Sequence, residues 1–244
     1  MLIPRYLFVE DFAVWKDFFQ NQNPRVQHIK PGQFIWSPDE TFHYVNFLES
    51  GLARTYLVHE SGRRKILSYH GHNTIFPVFH ELDFKIEKSL VTEAFTPMTI
   101  WQFTRSDFKK ILEAHPEINH ALLSWYARYV NLLIYETAHQ EYNSGFVKLC
   151  NILWLMHKEQ EYTKGQMYTY NPCSEYVDSV DAFDNKIVLT QEELAEILGM
   201  SRVNLTRHIG RLRTEGIIDT ARKTITILDR HKLLQYCSGE TRDE

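Results

Sequence analysis

Cysteine is scarce in this sequence, and no long apolar run is present. The three cysteines, Cys150, Cys173 and Cys237, lie far apart without a Cys-x-x-Cys pair, so we expect buried thiols rather than disulfides, a zinc knuckle or an iron–sulfur cluster. No apolar stretch approaches the roughly 18 residues that a membrane span needs. Because the stretch MLIPRYLFVED reaches an acidic residue before a signal-like core can form, a soluble cytoplasmic protein without membrane attachment is expected.

An excess of positive charge is also missing from the chain as a whole. The 244 residues carry a formal net charge of −4, with 43% hydrophobic and 24% charged residues, which is typical of folded globular proteins. This balance excludes a protein that coats nucleic acid through overall charge. Residues 199–232 differ, because they hold eight basic and three acidic side chains. A local basic surface of this kind is typical of a DNA-binding module.

Residues 33–104 alternate apolar and polar side chains and turn often. The stretch YVNFLESGLARTYLVHESGRRKILSYHG contains three strand-like runs, separated by Gly51 and by the pair Ser61 and Gly62. A further pair, SLVTEAFT and MTIWQFT, is divided by Pro97, which cannot donate a ladder hydrogen bond. The pattern predicts an antiparallel β-roll or barrel.

Helical periodicity replaces this alternation after Ser106, which we predict to cap the helix DFKKILEAH. A longer helix of about 25 residues is predicted from Pro116 onward. We predict that it mediates dimerisation, the alternative being a core helix packed on its own β-roll. Its predicted seam is Ile118, Leu122, Trp125, Tyr129 and Leu132. Another helix, FVKLCNILWLMHKEQ, follows Gly145, and residues 160–187 are predicted to form a loop or small excursion.

The stretch LTQEELAEILGMSRVNLTRHIGRLRTEG carries the most specific pattern. A capping box from Thr190 to Glu193 starts one helix, Gly199 can supply the positive φ of a tight turn, and Ser201 caps a second helix. These features predict a helix-turn-helix. The residues predicted to face inward on its second helix are Leu205, Ile209 and Leu212.

The outward face of the second helix carries side chains suited to the edges of base pairs. Arg207 can bond guanine bidentately, Thr206 can reach a base or a phosphate, and Val203 can only make an apolar contact, such as with a thymine methyl. The arginines nearer the end of the helix are predicted to contact phosphates, and the alternative is a solvated face of a structural helix. The predicted DNA-binding residues are Thr190, Ser201, Arg202, Val203, Thr206, Arg207, Arg211 and Arg213.

The run IIDTARKTITILD predicts two short strands around a basic turn at Arg222 and Lys223, the wing of a winged helix, and Asp229 is predicted to cap a last helix. The complete pattern predicts an α+β fold. Its expected parts are a β-roll at 1–115, a dimerisation helix at 116–142 and a winged helix-turn-helix at 143–244, and the family resemblance described next implies that the β-roll senses an effector.

These stretches resemble the cyclic-AMP receptor protein and FNR family of bacterial transcription regulators. The resemblance covers nearly the whole chain: FLESGLARTYLVHESGRRK in the β-roll, AFTPMTIWQFTRSDFKKILEAHPE before the dimerisation helix, and the helix-turn-helix stretch. It implies a cyclic-nucleotide-binding-like jelly roll, a homodimer, a palindromic double-stranded DNA site, and RNA polymerase as a partner. It places Arg202, Val203, Thr206 and Arg207 at the family's base-contacting positions.

Two departures from the family refine these expectations. Most members carry a glutamate where this chain has Val203. A subgroup that includes regulators of reductive dehalogenation has valine there. We therefore expect an A·T base pair where residue 203 contacts the DNA, within an AT-rich site. The stretch HGHNTIFPVFHELDFKIEKSLVTEA lacks both the Gly-Glu pair and the Arg-Ser or Arg-Thr pair of members that bind cyclic nucleotides, so cyclic AMP is not expected. Nor is there an N-terminal cysteine cluster for an iron–sulfur sensor.

What remains is an unknown small-molecule effector, aromatic or anionic, between β-roll and helix. Its candidate lining is Phe76, Val78, Phe79, Leu90, Trp125, Arg128 and Tyr129. For Arg128, a salt-bridged structural role is the alternative. The His70 and His72 of HGH suggest a cupin-like metal site as an alternative function, but the glutamate expected a few residues later is missing, so no metal is expected. Catalysis is not expected either, because no arrangement of catalytic residues is evident.

Overall fold

The computed structural model describes residues 6–35, 43–76, 90–163 and 186–242. The chain divides into two compact units, one formed by Arg5–Leu133 and one that contains Ile134–Glu244. The boundary between them falls inside the longest of the described helices, and the predicted three-part division of the chain stays a prediction. Of the described helices, none is both long enough and apolar enough to cross a membrane.

The first unit contains the predicted β-roll, whose described residues form two four-stranded sheets. In the first sheet, in spatial order, lie β1 (Leu7–Phe8), β5 (Arg64–His70), β4 (Ala53–Val58) and β7 (Leu90–Ala94). In the second lie β2 (Arg25–Ile29), β8 (Met98–Thr104), β3 (Tyr44–Ser50) and β6 (Ile75–Phe76). All pairs are antiparallel except β1 with β5.

Gly51 makes the turn from β3 to β4. Its φ is +90°, and an added Cβ would overlap the carbonyl oxygen of Pro97. Pro97 itself lies between β7 and β8, as its missing N–H predicted. The two turn residues therefore meet at one end of the roll, where a side chain on Gly51 would not fit.

Four helices accompany and follow the roll: α1 (Lys16–Asn21), α2 (Arg105–Ala114), α3 (Ile118–Tyr142) and α4 (Gly145–Thr163). The predicted cap of α2 was wrong by two residues, because Thr104 rather than Ser106 accepts the N–H of Asp107. The predicted loop at 160–187 was too long at both ends. Helix α4 continues to Thr163 and a strand begins at Lys186, while 164–185 lie outside the described residues.

The predicted dimer seam on α3 is wrong. Ile118, Leu122, Trp125 and Leu132 are already buried in the single chain, and Trp125 packs on Phe8 of β1. A different stripe of α3 is exposed, at spacings of three, four and three: Leu123, Tyr126, Val130 and Leu133. Helix α3 is therefore apolar on two faces, and we call this exposed set the α3 stripe.

The second unit contains the winged helix-turn-helix. Its elements are β9 (Lys186–Val188), α5 (Gln191–Leu198), α6 (Arg202–Thr214), β10 (Ile218–Ala221), β11 (Thr224–Ile227), α7 (Arg230–Gln235) and α8 (Gly239–Arg242). The three strands form one antiparallel sheet in the order β10-β11-β9. The Asp229 carboxylate accepts the N–H of Lys232 and caps α7, as predicted.

Two cysteines of this second unit lie within the described residues. Cys150 and Cys237 are buried, as predicted, and burial raises the pKa of each thiol to about 12. The Cys237 thiol donates to the carbonyl oxygen of Leu233 at 3.4 Å. Both thiols are therefore protonated near neutral pH, and Cys173 lies outside the described residues.

Candidate nucleic-acid interface and aromatic cluster

Helix α5 starts and ends as the sequence predicts. The hydroxyl of Thr190 accepts the N–H of Glu193, and the Glu193 carboxylate accepts the N–H of Thr190, which completes the capping box. At the other end, Gly199 has a φ of 63° and closes the helix in the left-handed conformation. Two residues later the Ser201 hydroxyl accepts the N–H of Asn204 and starts α6. Local hydrogen bonds and one left-handed glycine thus define the corner between the two helices.

Helix α6 has one buried and one exposed face. Leu205, Ile209 and Leu212 are buried, as predicted. The opposite face is exposed, and Val203 on it is 79% exposed although its side chain is apolar. Val203 therefore does not contribute to the core of the chain.

The side chains of Arg202 and Arg207 project from this exposed face. Among the described residues, neither guanidinium forms an ion pair or a hydrogen bond with another side chain. Thr206 donates its hydroxyl to the carbonyl oxygen of Arg202 at 2.9 Å, which leaves the hydroxyl oxygen able to accept from a partner. The structure therefore brings together four predicted base-contacting residues, Arg202, Val203, Thr206 and Arg207, in an arrangement open to solvent.

Arg211 is placed differently from these arginines. Its guanidinium lies 3.9 Å from the centroid of the Phe146 ring and 5.2 Å from that of Tyr236. It also donates to Glu215 at 2.9 Å, and the hydroxyl of Tyr236 donates to the same carboxylate at 2.8 Å. These hydrogen bonds raise the pKa of Arg211 and lower that of Glu215. The predicted phosphate contact of Arg211 stays a prediction, and it would compete with this intramolecular set.

Arg213 and His208 complete the surroundings of α6. Arg213 lies 4.0 Å from Asp219, and both side chains are more than half exposed, so this pair leaves the guanidinium accessible. His208 packs against Phe146, with ring centroids 5.8 Å apart. Burial, together with the charges of Arg207 and Arg211, lowers the pKa of His208. The imidazole is therefore a weaker base than usual.

The wing adds two cations that the sequence showed as basic but that we did not assign to DNA. Arg222 and Lys223 form the turn between β10 and β11, and Lys223 has a φ of 57°. They line an open cavity of about 270 Å³ together with Thr190 and Arg202. The cavity thus joins the wing to the starts of α5 and α6, and three of its lining side chains are positively charged.

Rings of the first unit form an aromatic cluster around His70. The imidazole lies parallel to Phe76, with centroids 5.1 Å apart, and near-parallel to Phe8 at 5.4 Å. Trp125 of α3 lies 6.0 Å from His70 and 5.2 Å from Tyr129. Complete burial lowers the pKa of His70 to about 3. Three of the predicted effector residues, Phe76, Trp125 and Tyr129, therefore pack together.

The remaining predicted effector residues have different surroundings. Arg128 is paired with Asp11 and donates to the carbonyl oxygen of Leu7 at 3.3 Å. Burial raises the pKa of Asp11, and the charge of Arg128 partly offsets that rise. This salt bridge agrees with the structural role that the sequence analysis gave as the alternative to effector binding for Arg128. Leu90 begins β7 opposite Leu57, and Val78 and Phe79 lie outside the described residues.

Two family models match this chain in tandem. A cyclic nucleotide-binding domain matches residues 26–115, and a Crp-like helix-turn-helix domain matches residues 148–236. The chain belongs to the Crp/Fnr family. It is a transcription regulator with an effector-binding domain followed by a helix-turn-helix DNA-binding domain.

Relatives of this Crp/Fnr-type regulator match it almost end to end. The global nitrogen regulator of Synechococcus elongatus is 23% identical over 219 residues, which cover 88% of this chain and 90% of the relative. FixK2 from Bradyrhizobium japonicum superimposes with a TM-score of 0.65 at 16% identity, covering 88% of this chain and 98% of that one. A CooA variant from Carboxydothermus hydrogenoformans gives 0.70 at 16% identity, covering 95% and 100%. The two structures support the fold.

The cupin-like alternative finds no support in these comparisons. In this Crp/Fnr-type chain His70 is buried among rings and bonds Ser68 at 3.0 Å, while His72 pairs with Glu10 at 2.5 Å. Within the described ranges, no three His, Cys, Asp or Glu side chains are grouped so that they could hold a metal ion.

Phe8 and Asp11 were missed by the sequence analysis. They reach the cluster from β1 and the turn after it, in a stretch where a two-residue strand is too short to show any periodicity. No pattern in the sequence alone could have placed them beside α3.

Proposed function

We propose that this regulator lays α6 in the major groove of double-stranded DNA, with Arg202, Val203, Thr206 and Arg207 at base edges. The observation that carries the proposal is the exposure of these four side chains on one face of α6, opposite the buried Leu205, Ile209 and Leu212. Arg207 suits guanine O6 and N7, and Val203 suits a thymine methyl, which favours A·T at its step and an AT-rich site. Arg213, with Ser201 and Thr190 at the helix starts, would contact phosphates.

The wing extends this surface to the DNA backbone. Arg222 and Lys223 share a cavity with Arg202 and Thr190, and an open cavity with three cations suits a phosphate group. In this proposal the wing cations supply salt-dependent affinity, and the first two turns of α6 supply sequence preference.

The proposed active form is a homodimer on a palindrome. The α3 stripe presents apolar side chains to solvent at heptad spacing, which suits pairing with the same stripe of a second copy. Two recognition helices related by a two-fold axis would then meet half-sites one turn of DNA apart, roughly 34 Å.

The proposed effector is a small molecule that binds in the first unit beside α3. Two buried nitrogens of the aromatic cluster, Nε1 of Trp125 and Nδ1 of His70, have no hydrogen-bond partner among the described residues, which favours a ligand with polar groups on an aromatic or anionic frame. Cyclic AMP does not fit the proposal, because the Arg-Ser or Arg-Thr pair is absent. To act as a switch, the effector must bind two states of the regulator with different affinity.

The remaining parts of the proposal follow from the relatives being transcription regulators. We place the protein in the cytoplasm, with RNA polymerase as a partner, and assign it no catalytic activity.

A selection of binding sites from random double-stranded DNA tests the central proposal. The purified chain should enrich a palindrome with A·T at the Val203 step, and R207A should lose the preference at one guanine while R63A, an exposed change in the other unit, should not. The loss should amount to roughly 1–3 kcal/mol at that base pair. Unchanged preference in R207A would show that α6 does not lie in the groove as proposed.

A further inference from the structure

Gly210 is a residue of α6 that the fold of the chain does not explain. It lies inside the helix between Arg202 and Thr214, where glycine is among the least favourable residues. A Cβ built on it would meet nothing within 4 Å. At Gly145, in contrast, a Cβ would come within 3.0 Å of Nε2 of His208. Nothing in the described part of the second unit therefore requires position 210 to lack a side chain.

The position of Gly210 on α6 suggests that DNA binding, rather than the fold, requires a residue without a side chain. It follows Arg207 by three residues, Thr206 by four and Val203 by seven, so it shares their exposed face. Positions 203, 206 and 207 occupy the first turns of α6, which approach base edges in a helix-turn-helix complex. Position 210 lies one turn further along the same face, where the proposed docking of α6 would bring the helix past the sugar–phosphate backbone, here called the sugar–phosphate wall.

We propose that Gly210 is a positioning residue that allows the backbone of α6 to approach this wall closely. The inference rests on the proposed function, since the partner at Gly210 is the sugar–phosphate backbone of the bound DNA. The proposed effect is steric. A methyl group at position 210 would hold the helix away from the groove and weaken the contacts of Arg207 and Val203 with the bases. Fold stability and DNA affinity then make opposite demands on this position.

The test compares the wild-type chain with G210A and G210L for binding to the selected DNA site at one fixed salt concentration. Thermal unfolding should show a higher Tm for G210A, because alanine favours the helix and has room. Its affinity should fall roughly tenfold, as expected when a methyl group is forced into a close contact. G210L should bind more weakly still. G239A is the matched control, since Gly239 is an exposed helical glycine of α8 that also has nothing within 4 Å.

Leucine and alanine have similar helix propensities. Comparing G210A with G210L therefore distinguishes a steric effect on DNA binding from an effect of helix rigidity. Equal losses in G210A and G210L would overturn the inference, because they would show that glycine acts by loosening the helix. Unchanged affinity in both would overturn it too and leave the proposed function standing. If the wild-type chain selects no DNA sequence, the proposed function itself fails and the inference fails with it.

Discussion

Two arginines on α6, four residues apart, have different environments. Arg207 projects into solvent, whereas Arg211 stacks on Phe146 and bonds Glu215. The stacked arginine connects α4, α6 and the residue after α7 through Phe146 and Tyr236. Arg211 and Arg207 carry the same charge. Only the tertiary contacts of Arg211 therefore distinguish it, as a cation that stabilises the domain, from Arg207, which is available to DNA.

Replacing Arg211 should therefore affect stability more than recognition. We expect R211A to lower Tm by several degrees, because the stacked guanidinium and its hydrogen bond to Glu215 are lost together. R211K should recover only part of this, since an ammonium lacks the planar fork. Thermal unfolding measures the effect, with R213A as the control on the same helix. A variant R211A with unchanged Tm and a loss of DNA affinity as large as that of R207A would contradict this assignment.

His70 gives the first unit a pH-dependent stability. Its pKa is about 3 in the folded chain, against an ordinary value of 6.5 that applies to the unfolded chain. Between these values the unfolded chain binds a proton that the folded chain does not, so the contribution of His70 to stability is intact above pH 6.5 and falls as the pH falls toward 3. The limiting slope is about 1.4 kcal/mol per pH unit.

The variant H70F should remove that slope. Phenylalanine can stack between Phe8 and Phe76 without binding a proton, although the hydrogen bond to Ser68 is lost. Urea unfolding between pH 7.5 and pH 5 should therefore show a weaker pH dependence in H70F than in the wild-type chain. H120F, an exposed change on α3, should keep the wild-type dependence. If H70F and the wild-type chain lose stability in parallel on acidification, His70 is not the group responsible.

At the scale of elements, the sequence predicted the helix-turn-helix almost residue by residue. Each boundary there carries a local signal, such as the Thr190–Glu193 capping box, the turn glycine Gly199 and the Ser201 cap. Strands β1 and β9 were missed because they have two and three residues and are defined by their partners β5 and β11 rather than by any pattern of their own. The cap of α2 was misplaced because Thr104 and Ser106 are both hydroxyl residues close to the helix start.

The same distinction explains the error on α3. A heptad pattern states which residues share a face, but it does not state what that face packs against. Two such stripes wind along α3, and the one chosen from the sequence is buried within the chain. The choice depends on contacts between residues far apart in sequence, such as Trp125 with Phe8 and Arg128 with Asp11. These long-range contacts also define the aromatic cluster, which is why only three of its five rings, Phe76, Trp125 and Tyr129, were predicted as effector residues.

At the scale of the whole molecule, the α3 stripe is where two copies are expected to meet. A single α6 contacts only a few base pairs, so a site specified by one copy would be short, and pairing two copies doubles the length of DNA recognised. Leu123 is 64% exposed and Val130 is 50% exposed, although both are apolar and lie seven residues apart on one face. An apolar stripe of this length is costly to leave in water, which favours its burial between copies.

Charge introduced into the α3 stripe should separate the copies without unfolding them. The double variant L123E/V130E replaces two exposed side chains, so the circular dichroism spectrum should stay that of the wild-type chain. Light scattering should find the wild-type chain at twice its 29.0 kDa mass and the double variant at 29.0 kDa, since like charges would face each other across the two-fold axis. Affinity for the palindrome should fall to that for an isolated half-site.

N131E adds charge to an exposed position off the stripe and should remain dimeric. A dimer that survives in L123E/V130E would mean that another surface joins the copies, and the spacing of the half-sites would then have to be derived from that surface.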